Sequence, residues 1–480
     1  MAKNSARTIG MSMFLLRLAT LSSVLLMLGA VQASPWSAPL TLVDAHGRLA
    51  VGNRLHVTGH IGGNLVHRSS LDAGATWTAP TTISPATGNF PMQYGGLYAA
   101  GDAVYLLTAA GHMGPSSQHL DFRKSIDNGM TWSSPIRITG SGQQIRRANI
   151  VVSGDSVHVF GGQSGTGGYG TGLFYFRSTN GGLNWDPGKP LYANADASAR
   201  LAVDGTTLHV AFGDKLAANS FGGRTAYMRS ADNGATWSAP VTIGEEGRQA
   251  RQQIVAADGQ VFAIWQHEAL TQGDPLPADR LGYNRSNDGG LTWLGPELLP
   301  RDSGVNREHQ QTWLTPGGGL HLSWSHGDPG NAASSNGYMF SPDYGASWFD
   351  SEIAFDTASS GNLPHNIIAD ENWVHILAEP GAGTYVRRQV ILPGDFDDNR
   401  IVDTSDLAVW KAKFGIVNSA TTLQGDADGD QDVDGADLLV WQRQLGRGAA
   451  LASVAVPEPA SWPFVIAGVV LLTRRRSDCA

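Results

Sequence analysis

Between residues 36 and 392 the apolar residues come in short runs separated by glycine-containing turns. In one unit Arg200-Leu201-Ala202-Val203 leads through a turn to Leu208-His209-Val210-Ala211-Phe212. A third run ends at Arg229-Ser230, and a fourth is Pro240-Val241-Thr242-Ile243. Runs this short, bounded by glycine, predict strands and not helices. The second run is easiest to count. It occurs at Leu55-His56-Val57, Val104-Tyr105-Leu106, Val157-His158-Val159, Leu208-His209-Val210, Val261-Phe262-Ala263, Leu320-His321-Leu322 and Val374-His375-Ile376, seven times in all.

A polar signature punctuates these runs. The pattern S-x-D-x-G-x-T-W opens at Ser70, Ser125, Ser178, Ser230, Ser286 and Ser341 and closes at Trp77, Trp132, Trp185, Trp237, Trp293 and Trp348. The third copy has Asn180 for the Asp, and the sixth has Pro342 and Ser347, which predicts looser turns there. Asp folds back onto nearby backbone N–H groups, glycine supplies a positive φ, and Trp returns the chain to a strand. A repeat of about 54 residues with several short strands per unit is the mark of a propeller-type array.

These hairpins resemble the Asp box of sialidases and related propellers, and the resemblance covers about residues 36–392. It implies an all-β propeller in which the boxes build blades and perform no chemistry. Seven blades are expected, with six, the number in catalytic sialidases, as the alternative. Trp36-Ser37-Ala38-Pro39-Leu40-Thr41-Leu42 copies the segment that follows a box but has none before it, whereas the seventh unit ends at Tyr385-Val386-Arg387-Arg388 with none behind it. The N-terminal segment is therefore expected to supply the outer strand of the last blade, leaving no long open edge.

Composition agrees with an all-β chain: only 16% of the 480 residues are charged, against 60 Gly and 14 Trp. A formal net charge of −9, part of it in the Asp-rich stretch 395–437, argues against a nucleic-acid partner. Residues 1–33 read as a secretory signal, with Lys3, Arg7 and Arg17 ahead of the apolar stretch Leu18–Ala30 and small residues before Ser34. Cys479 is the only cysteine, so stability must come from packing and bound ions and not from an internal disulfide.

Chemistry is expected on the face opposite the boxes, where first strands begin and second strands end. Arg48, Arg147, Arg200 and Arg251 open first strands, with Gln310 and His365 at neighbouring places. A ring of guanidinium groups suits a carboxylate, which it bonds bidentately. The same arginines would equally seal the throat by bonding inner-strand carbonyls. Sialidases, by resemblance, grip a sugar carboxylate with an arginine triad and use an Asp, a Tyr and a Glu for the chemistry. Their (F/Y)-R-I-P signature is here Gly47-Arg48-Leu49-Ala50, which keeps the Arg and loses the Pro. Asp214, Glu268 and Tyr94 are the candidates for catalytic roles.

At Pro393 the pattern changes to paired Asp-rich loops. Asp395, Asp397, Asn399, Asp403 and Asp406 stand at positions 1, 3, 5, 9 and 12 of the first loop, with the Ile401 carbonyl at 7. Asp426, Asp428, Asp430, Asp434 and Asp437 repeat this in the second, with Asp432 at 7. Oxygen ligands so spaced enclose a cation of calcium size. Val402 and Val433 pin each loop, and short helices are predicted at 407–414 and 438–445, with Trp410 and Trp441 at matching places. The pair resembles a type I dockerin, which implies two bound Ca2+ and a cohesin-like protein partner, contacted through Thr404-Ser405 and Gly435-Ala436. A calcium-stapled spacer without a partner is the alternative. Arg400 and Gln431 occupy position 6, where glycine is usual, so weakened affinity is expected.

After a linker at 447–455 come Val456-Pro457-Glu458-Pro459, a short apolar run and Arg474-Arg475-Arg476. This tail, 456–480, resembles the PEP-CTERM sorting signal, which implies processing by an exosortase-like membrane protease and delivery to the envelope or exterior. A simple membrane anchor is the alternative, twelve apolar residues being short for a span. The domain order expected is a signal (1–33), a propeller (34–392), a dockerin-like all-α module (393–446), a linker and the tail. The function expected is binding or hydrolysis of extracellular, neutral or acidic glycans by a secreted, surface-sorted protein. The alternative is a non-catalytic binding or scaffold propeller of the envelope.

Overall fold

The computed structural model describes residues 36–447 except 86–95, 111–118, 141–142, 144, 165–169, 196–198, 216–222, 246–247, 269–279, 300–305, 328–333, 350, 358–364, 371 and 379–382. The expected signal (1–33), the expected sorting tail (456–480) and Tyr94 lie outside the described residues. No described helix is long and apolar enough to cross a membrane.

Each unit is an antiparallel meander from an inner to an outer strand. In the unit read above these are Arg200–Asp204, Thr207–Lys215, Gly223–Ser230 and Val241–Thr242. The seven innermost strands are Ala45–Val51, Leu97–Ala100, Ile145–Ser153, Arg200–Asp204, Arg248–Ala257, Asn306–Leu314 and His365–Ala369. Each touches the next, and the last touches the first, so they line a closed throat. The N-terminal strand Leu40–Val43 pairs with Gly383–Gln389, Leu40 opposite Tyr385, and completes the closing sheet as its outer strand.

The expected number of separate blades, seven or six, is corrected. Five blades stand as separate four-stranded sheets, and the remaining eight strands, from Arg200 to Leu298, form one continuous sheet. The cause is local. The backbone of Gln249 pairs with that of Gly223, while the buried Gln249 amide oxygen accepts the Thr225 N–H at 2.7 Å. A buried backbone donor left without a partner is costly, and this side chain satisfies it by joining the two units.

The six boxes share one bonding scheme. In the first, Ser70 Oγ donates to Asp72 Oδ1 and accepts from Gly74 N, both at 2.8 Å. Asp72 also takes the Thr76 N–H and hydroxyl at 2.8 and 2.6 Å. The third box keeps the serine and backbone bonds with the Asn180 amide oxygen but has Asn184 in place of the threonine and so lacks the hydroxyl bond, and the sixth keeps that bond through Ser347 at a longer 3.0 Å. The expected loosening shows as a missing hydroxyl bond in the third box and a longer one in the sixth.

Each box docks on the blade before it. Trp77 stands edge-on to Tyr385, with ring centres 5.3 Å apart, and the Tyr385 hydroxyl lies 2.7 Å from His375 Nδ1. The same His–Tyr pairing, at 2.7–2.8 Å, occurs at His158–Tyr175, His209–Tyr227 and His321–Tyr338. In the first sheet His67 replaces the tyrosine, 3.0 Å from His56. Edge-to-face aromatic pairs are worth about 0.5–1.5 kcal/mol beyond their buried area. Edge-to-face contacts between units, Trp77–Tyr385, Trp185–Phe122, Trp237–Tyr175 and Trp293–Tyr227 among them, supply cohesion that strand pairing, confined within sheets, does not.

Beyond Pro393 the chain forms two helices, α1 (Thr404–Lys413) and α2 (Gly435–Gln444), and a 3-10 turn at Thr422–Gln424. The helices begin three residues earlier than the apolar pattern predicts, because Asp403 and Asp434 cap them in full capping boxes with Asp406 and Asp437. The two halves are locked reciprocally: Trp410 Nε1 donates to the Asp434 carbonyl and Trp441 Nε1 to the Asp403 carbonyl, each at 2.9 Å.

Candidate functional site

Four of the seven innermost strands are bulged at the places where arginine and glutamine were singled out. Register shifts fall between Ala45 and Arg48, Arg146 and Asn149, Ala250 and Gln253, and Glu308 and Gln311. A bulge adds an unpaired residue and re-aims its side chain. Arg147, Arg251 and Gln310 stand inside such bulges, and Arg48 follows one. Arg251 takes φ +58°, a left-handed conformation that costs an L residue about 1–2 kcal/mol. Arg200 lies on an unbulged strand opposite Ala211.

Part of this rim seals the throat. Arg48 Nη1 donates to the Gly47 carbonyl at 2.8 Å, and Arg200 Nη1 to the Ala199 carbonyl at 3.2 Å. Fully buried Gln310 donates from Nε2 to the Arg251 carbonyl at 2.8 Å. Arg48, Arg200 and Arg251 are all half-buried. Of Arg147, Glu268 and His365 the backbone alone is described; Glu268 ends its strand opposite Arg248, and His365 opens its strand opposite Ala378.

Asp214 is committed elsewhere. Its Oδ1 accepts the Tyr192 hydroxyl and the Asn194 amide, both at 2.8 Å, which ties the outer strand of one unit to the second strand of the next. Burial and the bond to Asp214 raise the Tyr192 phenol. A pair that the sequence pattern did not reveal joins buried His267 to half-buried Glu245, His267 Nε2 lying 2.5 Å from Glu245 Oε1. The apolar Phe262-Ala263-Ile264-Trp265 run ahead of His267 was the available signal that this histidine is internal.

The Asp-rich loops gather carboxylates as the spacing predicts. Oxygens of Asp395, Asp397 and Asp406 lie within 4.8 Å of one another, as do those of Asp426, Asp428 and Asp430, and of Asp432, Asp434 and Asp437. Asp395, Asp406, Asp426 and Asp437 are buried. Burial, followed by the charges of Asp437 and Asp430, pushes Asp428 up to about 7; burial and its carboxylate neighbours likewise raise Asp395. Asp432 Oδ1 is buried and has no hydrogen-bond partner among the described residues. Crowded, desolvated carboxylates with an orphaned oxygen fit a bound cation, and an all-oxygen donor set fits Ca2+. Asn399 and Ile401 belong to the first loop as expected, Asn399 Oδ1 accepting the Ile401 N–H at 2.7 Å.

Residues 66–303 match the family model described as BNR repeat-like domain. This stretch of the all-β propeller is thus similar to BNR-repeat domains. Similar solved structures include a Dyadobacter fermentans protein described as of unknown function, with 16% identity and a TM-score of 0.44, over 74% of this chain and all of that one. The phage phi92 endosialidase gives 12% and 0.40 over 74% of this chain and 69% of its own. The GH93 α-L-arabinofuranosidase of Fusarium graminearum gives 12% and 0.42, over 75% and 99%. At such identities the likeness does not extend to chemistry. The search of curated proteins found no match.

Proposed function

We propose that this protein is a secreted, surface-sorted propeller that binds extracellular glycans at its throat. The wheel comprises five separate four-stranded blades and one eight-stranded sheet that runs on through Gly223 and Gln249. The observation that carries the binding reading is the row of bulges in the innermost strands, which holds Arg147 and Arg251 and has Arg48 just after one of them. Backbone strain kept at Arg251 is characteristic of functional positions. A carboxylated sugar is the ligand class that guanidinium groups favour.

Binding without hydrolysis is the reading that the geometry supports best, because Asp214, one of the candidate acids, is held by Tyr192 and Asn194. The Asp-rich module holds two Ca2+, through Asp395, Asp397, Asn399, Ile401, Asp403 and Asp406 in one loop and Asp426, Asp428, Asp430, Asp432, Asp434 and Asp437 in the other. Bound calcium would staple the loops to the helices they cap. Exposed Thr404-Ser405 and Gly435-Ala436 leave room for a cohesin-like partner, and the C-terminal motif supports exosortase-type sorting to the envelope.

A glycan array combined with fluorogenic sialosides and other acidic glycosides tests the reading. Retention of acidic glycans without turnover, weakened by Arg251→Gln, is expected. Turnover of any of these substrates would replace it with a glycosidase.

A further inference from the structure

Where the closing sheet meets the first Asp-rich loop the chain leaves a cleft of about 710 Å3, a size usual for small-molecule sites. Trp373, Arg387 and Arg388 form one wall; Asp398, Arg400 and Leu423 form the other. It opens on the side of the boxes, away from the innermost-strand rim, since Arg387 Nη1 donates to the Asp72 and Ala73 carbonyls of the first box at 3.0 and 2.6 Å.

Charge decides what the cleft accepts. The Arg387 guanidinium is preset, lying 4.3 Å from the centre of the Trp373 ring, and its bonds to carbonyls leave its charge uncompensated. Arg388 is already paired with Glu352. Among the described residues neither Arg387 nor Arg400 makes an ion pair. Of the two carboxylates on the wall, Asp398 is exposed, and Asp395 belongs to the cation-holding set.

Arg400 is the telling residue. It occupies a loop position with φ +69°, where an L side chain costs about 1–2 kcal/mol relative to glycine. The loop therefore carries a guanidinium at a place where the backbone favours none, and the residue that bears it lines the cleft.

We propose that this cleft is a second saccharide site, taking a carboxylated or sulfated sugar with its anion between Arg387 and Arg400 and its ring against Leu423. The site rests on the calcium reading of the loop, because Asp398 and Arg400 lie between its ligand positions. It is independent of the throat.

The test is isothermal titration of the full-length protein with trigalacturonic acid, its neutral methyl ester and a sulfated disaccharide, in calcium and in EGTA. Arg400→Gly is the useful variant, since it deletes the charge and relieves the backbone. It is expected to weaken an acidic ligand about tenfold, the loss of one charge-assisted hydrogen bond, with an unchanged or higher Tm. EGTA should weaken the same binding, and Arg251→Gln should leave it unaltered. Wild-type affinity in Arg400→Gly, equal binding of the ester, or no binding of either acidic probe overturns the proposal. If Arg251→Gln alone abolishes binding, the throat is the site and the cleft is not.

Discussion

Tyr175 and Gly234 belong to different blades, and the phenol oxygen of the first occupies the space that a side chain on the second would need. A Cβ on Gly234 would stand 1.7 Å from that oxygen, and the residue also takes φ +83°. Gly234→Ala must therefore displace Tyr175 from His158 as well as strain the turn. We expect a loss of about 2–4 kcal/mol in urea unfolding. Gly62→Ala, at φ +55° with nothing within 4 Å, should lose only about 1 kcal/mol. Equal losses would show that the inter-blade contact contributes nothing.

The buried histidines make the wheel acid-sensitive. Burial lowers His209 and His321 to about 3 and His158 to about 4, and burial together with His67 lowers His56 to about 3. Each group's folded value lies below its unfolded value, near 6.5, so protonation favours the unfolded chain. Their stabilisation is complete above pH 6.5 and falls between 6.5 and about 3–4, by up to about 1.4 kcal/mol per pH unit for each histidine. Tm should be flat from pH 7 to 8 and drop steeply below 6. The double variant His158→Gln, His209→Gln should show a shallower slope, and an unchanged slope would refute this account.

The box aspartates act at lower pH. Bonds from Thr236 and Ser230 lower Asp232 to about 2, and those from Thr292 and Ser286 do the same for Asp288. Stability from such groups is present above their ordinary value near 3.8 and is lost as pH falls through about 2. A second acid transition is therefore expected after the histidine-driven one. Scanning calorimetry of Asp232→Asn, in which that component should be absent, checks it.

Calcium removal should melt the module selectively. Binding at a hundredfold excess over Kd stabilises by about 2.7 kcal/mol per site. EGTA is expected to lower the transition that reports on Trp410 and Trp441 by tryptophan fluorescence. Asp437→Asn should abolish the calcium response of the second loop, and it also removes the charge that accepts the Ala427 and Asp434 N–H groups. Insensitivity of that transition to EGTA would remove the calcium reading.

Gln310 separates sealing from binding at the throat. Its buried amide bonds the Arg251 carbonyl, so Gln310→Leu should cost about 1–3 kcal/mol of stability by leaving that acceptor unpaired. Arg251→Gln, at a half-buried site, should affect glycan retention more than Tm.

Much of the fold was legible because its signals are local. Ser70, Asp72, Gly74 and Thr76 bond within one turn, so their spacing alone specifies the hairpin. Closure by Leu40–Val43 was legible from a copied segment with no box before it, and the Asp-rich loops from their ligand spacing. Features made between units were not. The docking of Trp77 on Tyr385 and of Trp237 on Tyr175 joins residues of different blades, so no pattern within one unit reveals it. The fusion at Gly223 and Gln249 depends on one buried amide, and the bulges at Arg48 and Arg251 show only as register shifts against neighbouring strands. The helix starts were misplaced for a simpler reason: the apolar pattern begins one turn after the capping aspartates Asp403 and Asp434.

The pairing of Leu40–Val43 with Gly383–Gln389 joins a segment made early in synthesis to one made more than 340 residues later. The closing sheet stays unfinished until nearly the whole domain has emerged. An export route that carries the chain unfolded through a membrane would thus keep the wheel open in transit and let it lock only on the far side, where the Asp-rich loops follow immediately behind.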